Sequence, residues 1–400
     1  MSLASSLAPG LVCPYCFARF SRRRILFRCQ AKLTRTGTTC PIREDDRLLA
    51  YGVGRGVARL GPVFAAGGRR TRATCPSCRV ETIKRVCPEC HNELPSDFGQ
   101  IDSRIIALVG AIGSGKSTYI TVLIRELRHR VGEAFGAAVE PMDDRTINEY
   151  RIRFQRTLLT EGLMLASTQG ARGLLNFPLL YRFILQRRRR YRSRKCSTAL
   201  VFFDTAGEDL GSRDIMDLHA RYFIQADGII FLVDPFQIDA VRALVGAGVA
   251  LPDKARAPDE IIGDLTSLLR AAREIGPDHK IRTPVAVAFS KIDGIQPALR
   301  ASSPLNRASS HHGYFDCSEQ EELHDEIQAL LQEWEGGVIE RHLSHHYRTY
   351  AYFGLSALGA PPEDGRVARQ GIAPFRVEDP VLWLLSRFGV IATRKAGKAR

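Results

Sequence analysis

Apolar positions beyond residue 100 follow two spacings. Short unbroken apolar runs occur at Ile105–Val109, Ala199–Phe203, Gly228–Val233, Pro284–Phe289 and Thr349–Gly354. Runs of this length without polar alternation suit strands buried on both faces. Between them, apolar residues recur every three or four positions, as at Ile120, Leu123, Ile124 and Leu127. That spacing predicts helices after the first run and over Pro258–Glu274, Ser318–Glu335 and Asp379–Phe388. A further strand-like run covers Leu174–Leu185, and Ile147–Leu159 is basic and partly helical. Arg187–Lys195 is densely basic and lies between two strand candidates, so it is predicted as a hairpin tip: a solvated element, or a docking patch for an acidic partner or membrane headgroups.

The first strand and helix enclose Gly110-Ala111-Ile112-Gly113-Ser114-Gly115-Lys116-Ser117-Thr118. This fits the phosphate-loop pattern G-x-x-x-x-G-K-[ST], in the strand–loop–helix context that the pattern requires. Glycines allow successive backbone N–H groups to curl around phosphate oxygens. Lys116 adds a point charge for the β- and γ-phosphates, Ser117 a hydroxyl for Mg²⁺, and the helix its positive end.

The second apolar run ends in Asp204-Thr205-Ala206-Gly207-Glu208. An Asp at a strand end can hold Mg²⁺ through water, and a Gly three residues on can offer its N–H to a γ-phosphate. Glu208 directly follows, placed to position water. Thr157, Thr160 and Thr168 are candidates for a threonine that closes on Mg²⁺ and phosphate, with Thr168 best placed ahead of a strand; each is also readable as an ordinary loop threonine. The fourth run ends in Ser290-Lys291-Ile292-Asp293, similar to the guanine-reading [NT]-K-x-D motif. A carboxylate such as Asp293 can accept from N1–H and the 2-amino group of guanine, a donor pair that adenine lacks, while the Lys291 stem packs over the base. Ser290 stands where Asn is usual, so a side-chain amide contact is lost or replaced by a hydroxyl. The last run is followed by Ser356-Ala357, where a backbone N–H can meet the guanine oxygen.

Residues 1–98 read differently. Cys75-Pro76-Ser77-Cys78 and Cys87-Pro88-Glu89-Cys90 give C-x2-C-x8-C-x2-C, suited to one tetrahedral Zn²⁺. Cys13, Cys16, Cys29 and Cys40 are then a second four-sulfur set, although Cys13 and Cys16 could instead pair across with Cys75 and Cys78. The Gly-rich, basic linker between the sets is predicted to form a strand pair. Cys196 and Cys317 stand alone, and the pairs His311-His312 and His345-His346 read as loop or surface histidines.

Length suggests about two to three domains: a cysteine-rich zinc-ribbon region over 1–98, a nucleotide domain over 99–392 with an insertion around 131–198, and a basic tail over 393–400. No signal peptide or membrane-length apolar run is present, so a cytoplasmic protein with thiolate ligands rather than disulfides is expected. The formal net charge of +14 leaves room for nucleic acid, an anionic surface or an acidic protein as partner.

The order of these motifs resembles the Ras-like, translation-factor-related class of P-loop GTPases. The whole chain is similar to the second type of bacterial double-GTPase (DO-GTPase) family, within the TRAFAC clade. The carriers are the leading cysteine knuckles, Gly110–Thr118, Phe203–Glu208, Asp227–Asp234 and Ser290–Asp293. The resemblance implies a P-loop NTPase with a mostly parallel sheet of about six strands, helices on both faces and nucleotide at the strand C-termini. It also implies a GTP/GDP switch with Mg²⁺ and Zn²⁺, acting with a protein partner in bacterial conflict or signalling systems. Many relatives carry Gln where this chain has Glu208, which implies slow hydrolysis without a partner. The alternatives are a nucleic-acid-coupled ATPase and a GTP-binding scaffold with little hydrolysis.

Overall fold

The computed structural model describes residues 10–30, 39–165, 177–189, 192–203, 220–244, 257–334 and 336–394. Its elements, in chain order, are β1 (Asp102–Gly110), α1 (Lys116–Glu126), β2 (Ala137–Pro141), α2 (Asp144–Glu149), β3 (Leu179–Arg189), β4 (Arg192–Phe203), β5 (Gly228–Val233), α3 (Pro258–Ala272), β6 (Val285–Phe289), α4 (Cys317–Glu333), α5 (Gly337–His346), β7 (Tyr350–Gly354) and α6 (Asp379–Arg387). The seven strands form one sheet in the order β2-β3-β4-β1-β5-β6-β7. From β4 to β7 the pairs are parallel, whereas β3 runs antiparallel to β4 and β2 to β3. The expected fold class therefore holds. The seventh strand, β2, lies inside the stretch predicted as an insertion.

Strand β1 sits between β4 and β5, with Ala107 opposite Phe203 and Gly110 opposite Leu232. Its residues alternate between two cores, which explains the unbroken apolar run. Ile105, Ala107 and Val109 pack with residues of α3, α4 and α5 on one face. Ile106 and Leu108 pack with α1 and α6 on the other. Helices α1 and α2 both continue into π-wound segments, Leu127–Val131 and Tyr150–Thr160. The Tyr150 hydroxyl donates to Thr121 O at 3.0 Å and ties the two helices together. Thr157 and Thr160, named above as phosphate-sensing candidates, lie within this second helix and not in a loop.

The basic run does form a hairpin end, with Arg187 opposite Arg194 and Arg189 opposite Arg192. At the start of the predicted tail, Ala392–Arg394 pairs in parallel with Tyr314–Asp316. The glycine-rich linker contains the expected strand pair, Arg43–Glu44 with Arg59–Leu60. It also contains short helices, Asp46–Ala50 and Arg55–Ala58, the first capped by Asp45 accepting from Arg47 N and Leu48 N. The cysteine region lies against the nucleotide domain. Phe17, Leu94, Phe98 and four cysteines share one apolar cluster with Ile105, Phe203 and Tyr222, on the sheet face opposite α1.

Candidate functional site: a phosphate loop at the strand ends and two cysteine tetrads

Where β1 ends, its neighbours leave no room for a side chain. A Cβ at Gly110 would lie 2.5 Å from Leu232 O and 2.7 Å from Ser114 Oγ. Gly115 then caps α1 with φ 86° and ψ 22°, a left-handed conformation that costs glycine little. The chain thereby turns so that the first amides of α1 face the loop. Lys116 is buried and donates from Nζ to Gly110 O at 2.8 Å and to Ala111 O at 2.9 Å, spanning the loop. Ser114 is buried, and its Oγ has no hydrogen-bond partner among the described residues.

Two strands away, the parallel strand β6 ends on the same side of the sheet. Ser290 fills the usual Asn position by bonding inward: its N and Oγ both donate to Val233 O, at 2.9 and 3.3 Å. Lys291 adopts a left-handed backbone, φ 54°, and its Nζ lies 2.6 Å from Asp234 Oδ2. Asp234 is buried at the end of β5, and its Oδ1 accepts from Phe236 N. Sequence reading missed this partner because Asp234 is 57 residues from Lys291. Asp293 follows in a short turn, Ile292–Gly294, partly exposed and with no hydrogen-bond or ion-pair partner among the described residues. Leu355 O accepts from Ile292 N, which brings Ser356 and Ala357 alongside. The Ser356 amide donates to Phe375 O, so Ala357 is the next amide along this turn. The phosphate loop, Lys291, Asp293 and the Ser356–Ala357 turn thus all follow the C-terminal ends of parallel strands, β1, β6 and β7, where open α/β sheets bind ligands. Thr168, Asp204, Gly207 and Glu208 lie outside the described residues.

The eight N-terminal cysteines form two tetrads: Cys13, Cys16, Cys87 and Cys90, and Cys29, Cys40, Cys75 and Cys78. This overturns the expected grouping of Cys75, Cys78, Cys87 and Cys90, and also the alternative in which Cys13 and Cys16 join Cys75 and Cys78. The knuckles interleave because Leu26–Arg28 pairs antiparallel with Arg85–Val86 and carries the 87–90 knuckle back to the 13–16 knuckle. Three knuckles share one geometry. The first cysteine's N donates five residues ahead, and its O accepts from four residues ahead: Cys13 with Ala18 and Phe17, Cys75 with Val80 and Arg79, Cys87 with Asn92 and His91. Phe17, Arg79 and His91 accordingly take positive φ.

Sulfur–sulfur distances of 3.8 Å (Cys13–Cys90, Cys16–Cys87), 3.4 Å (Cys29–Cys78) and 3.7 Å (Cys40–Cys75) rule out disulfides. They match the edge of a tetrahedron with Zn–S bonds of about 2.3 Å, which is about 3.8 Å. Tyr15 N, Glu89 N and Asn92 Nδ2 donate to the sulfurs of Cys13, Cys87 and Cys90. Burial pushes the Cys13 thiol well above its usual pKa. A divalent cation would offset that cost, so both donor sets fit a closed Zn²⁺ site.

His311 is not on the surface, contrary to expectation. It is buried together with Asp379, beside the half-buried Glu319. Burial pushes Asp379 up to about 6 and lowers His311. Arg376 pairs with both carboxylates, and His311 Nδ1 accepts from Asp316 N. A guanidinium thus already supplies the positive charge there. His345 is exposed, as expected.

Fold and site together define a phosphate-loop α/β protein. No family model matches the chain. SaeC of Mycolicibacterium smegmatis, a protein with a proposed role in ESX-1 scaffolding and assembly, is 29% identical over 320 residues, covering 76% of this chain and 80% of SaeC. Solved structures resemble the chain only loosely. The S. cerevisiae Ski7 GTPase-like domain bound to GTP has a TM-score of 0.31 at 11% identity, over 75% of this chain and 51% of that one. Sup35 complexed with GDP has a TM-score of 0.25 at 13% identity, over 64% of this chain and 38% of that one. The chain therefore spans about half or less of the length of these two structures.

Proposed function

We propose that the protein is a GTP-binding and GTP-hydrolysing switch, residues 99–392, carrying a two-zinc interaction module, residues 1–98. The observation behind this reading is that the phosphate loop and the Lys291–Asp293 turn both follow the C-terminal ends of parallel strands of one sheet, β1 and β6, with β5 between them. Lys116 and the loop amides would hold the phosphates, and Ser117 and Asp204 would organise Mg²⁺. Gly207 and Thr168 would sense the γ-phosphate. Asp293 would read guanine beneath the Lys291 stem, with Ala357 rather than Ser356 offering its amide to the base. In equilibrium displacement of fluorescent GDP, GTP is expected to compete at least about tenfold better than ATP, the scale of one lost charged hydrogen bond. Equal competition by ATP, with turnover stimulated by DNA or RNA, would move the assignment to a nucleic-acid-coupled ATPase.

Glu208 bears on turnover. A carboxylate beside the γ-phosphate can orient water but repels the phosphate charge. The Glu208→Gln variant should therefore hydrolyse GTP at least about tenfold faster in single-turnover assays. If its rate falls instead, Glu208 is the water-positioning group that this chain uses. SaeC's proposed scaffolding role favours a second reading, a GTP-bound scaffold with little hydrolysis and a protein partner. GTP remaining intact after long incubation with the wild type would select it. No described helix is long and apolar enough to cross a membrane, which is compatible with a cytoplasmic switch.

A further inference from the structure

The two tetrads differ in what they touch. Cys29, Cys40, Cys75 and Cys78 form a small cluster of their own, with Phe64 and Val80 packed against it. The first tetrad lies inside the apolar cluster that contains the sheet. Its knuckle tip, Phe17, is buried, with ring centroids 5.8 Å from Phe203 and 5.0 Å from Tyr222. Phe203 immediately precedes Asp204, and Tyr222 stands on the far side of the 204–219 segment that carries the D-x-x-G motif.

Tyr222 also does something no sequence pattern announces. Its hydroxyl donates to Ile106 O at 2.7 Å and accepts from Leu108 N at 3.2 Å and Phe203 N at 3.3 Å. Among the described residues, the last β1–β4 pair is Ala107 opposite Phe203. One hydroxyl therefore bridges the strand leading into the phosphate loop and the strand leading into Asp204. A second connection leaves the same tetrad. Arg145 donates to Asn92 Oδ1 at 2.8 Å, and Asn92 donates to Cys90 Sγ. The Arg145 guanidinium lies 4.3 Å from the centroid of the Phe177 ring, which Tyr51 also touches. Phe177 directly follows the segment that carries Thr168.

We infer that the first tetrad is coupled to the nucleotide site through Phe17 and Tyr222, so that metal occupancy and γ-phosphate each alter the affinity for the other. The inference rests on the GTP-binding reading above. It assigns Phe17 and Tyr222 as positioning residues: neither reaches nucleotide, but both support the strand ends that flank it. The second tetrad, with no such contacts among the described residues, is uncoupled. Linkage makes the effect reciprocal in equilibrium affinities.

The experiment is equilibrium competition for zinc between the full-length protein and a chromogenic chelator, with GDP and with a non-hydrolysable GTP analogue. The Cys75→Ser/Cys78→Ser variant distinguishes the two metals. The first tetrad's zinc affinity is expected to differ between the nucleotide states by at least about fivefold, and the second tetrad's by less than about twofold. In Tyr222→Phe, both ligands should still bind but the first tetrad's difference should shrink to within about twofold. A purely structural tetrad would bind zinc equally in both states, and that result overturns the inference while leaving GTP binding intact. Failure of the wild type to bind fluorescent GDP overturns both readings at once.

Discussion

Asp293→Asn is expected to exchange guanine for xanthine selectivity. The wild-type carboxylate offers two acceptors to the N1–H and 2-amino donors of guanine. An amide offers one acceptor and sets its own NH₂ against the 2-amino group. Hydrogen bonds to a charged group contribute about 1.5–3 kcal/mol each. Losing one of these bonds and setting two donors against each other should weaken GDP binding by about 100-fold or more. Xanthine carries a carbonyl at that position, so XDP should gain affinity in the variant. The folded state should be unaffected, because Asp293 is partly exposed in a short turn and has no partner among the described residues. Unchanged thermal melting would confirm that the effect is local. Retention of GDP affinity within about threefold would reduce Ser290–Asp293 to a strand end.

The second large effect separates the tetrads. Binding of a structural Zn²⁺ has apparent free energies of about 10–16 kcal/mol, comparable with the whole stability of a domain. Elemental analysis should find two zinc ions per chain. In Cys87→Ser/Cys90→Ser the first site is lost within the cluster that includes Ile105, Val109 and Phe203. Far-UV melting of the whole chain should then fall by at least about 10 °C, and GDP affinity should fall with it. In Cys75→Ser/Cys78→Ser the damage should stay within the small outer cluster, with the main transition shifted by no more than about 3 °C. Equal shifts in the two variants would mean that the tetrads play equivalent roles.

These two expectations draw on different levels of information. The phosphate loop and the Ser290–Asp293 turn were legible in the chain because their chemistry is local. A turn of about nine residues either has the glycines, lysine and hydroxyl in the required order or does not. The strands that carry them were legible for a related reason: a strand covered on both faces must be apolar at every position, and β5, β6 and the buried Ile105–Gly110 part of β1 are. The extra edge strand β2 was not, since Ala137–Pro141 is mostly solvent-accessible and lacks that signature.

The metal sites mark the limit. Six cysteines in three knuckles and two single ones pointed to a metal-ligating donor set, but neighbourhood in sequence grouped them wrongly. Glu81–Thr82 and Arg85–Val86 are extended, and at roughly 3.3 Å per residue such chain separates the 75–78 and 87–90 knuckles rather than closing them on one ion. The pairing of Leu26–Arg28 with Arg85–Val86 then chooses their partners. Burial of His311, the Asp234 partner of Lys291 and the Tyr222 bridge between β1 and β4 are of the same kind. By itself the sequence determined which chemical groups the protein owns and the local turns that present them. Only the tertiary structure decided which of those groups meet, because strand pairing and sheet-face packing act between residues far apart in the chain.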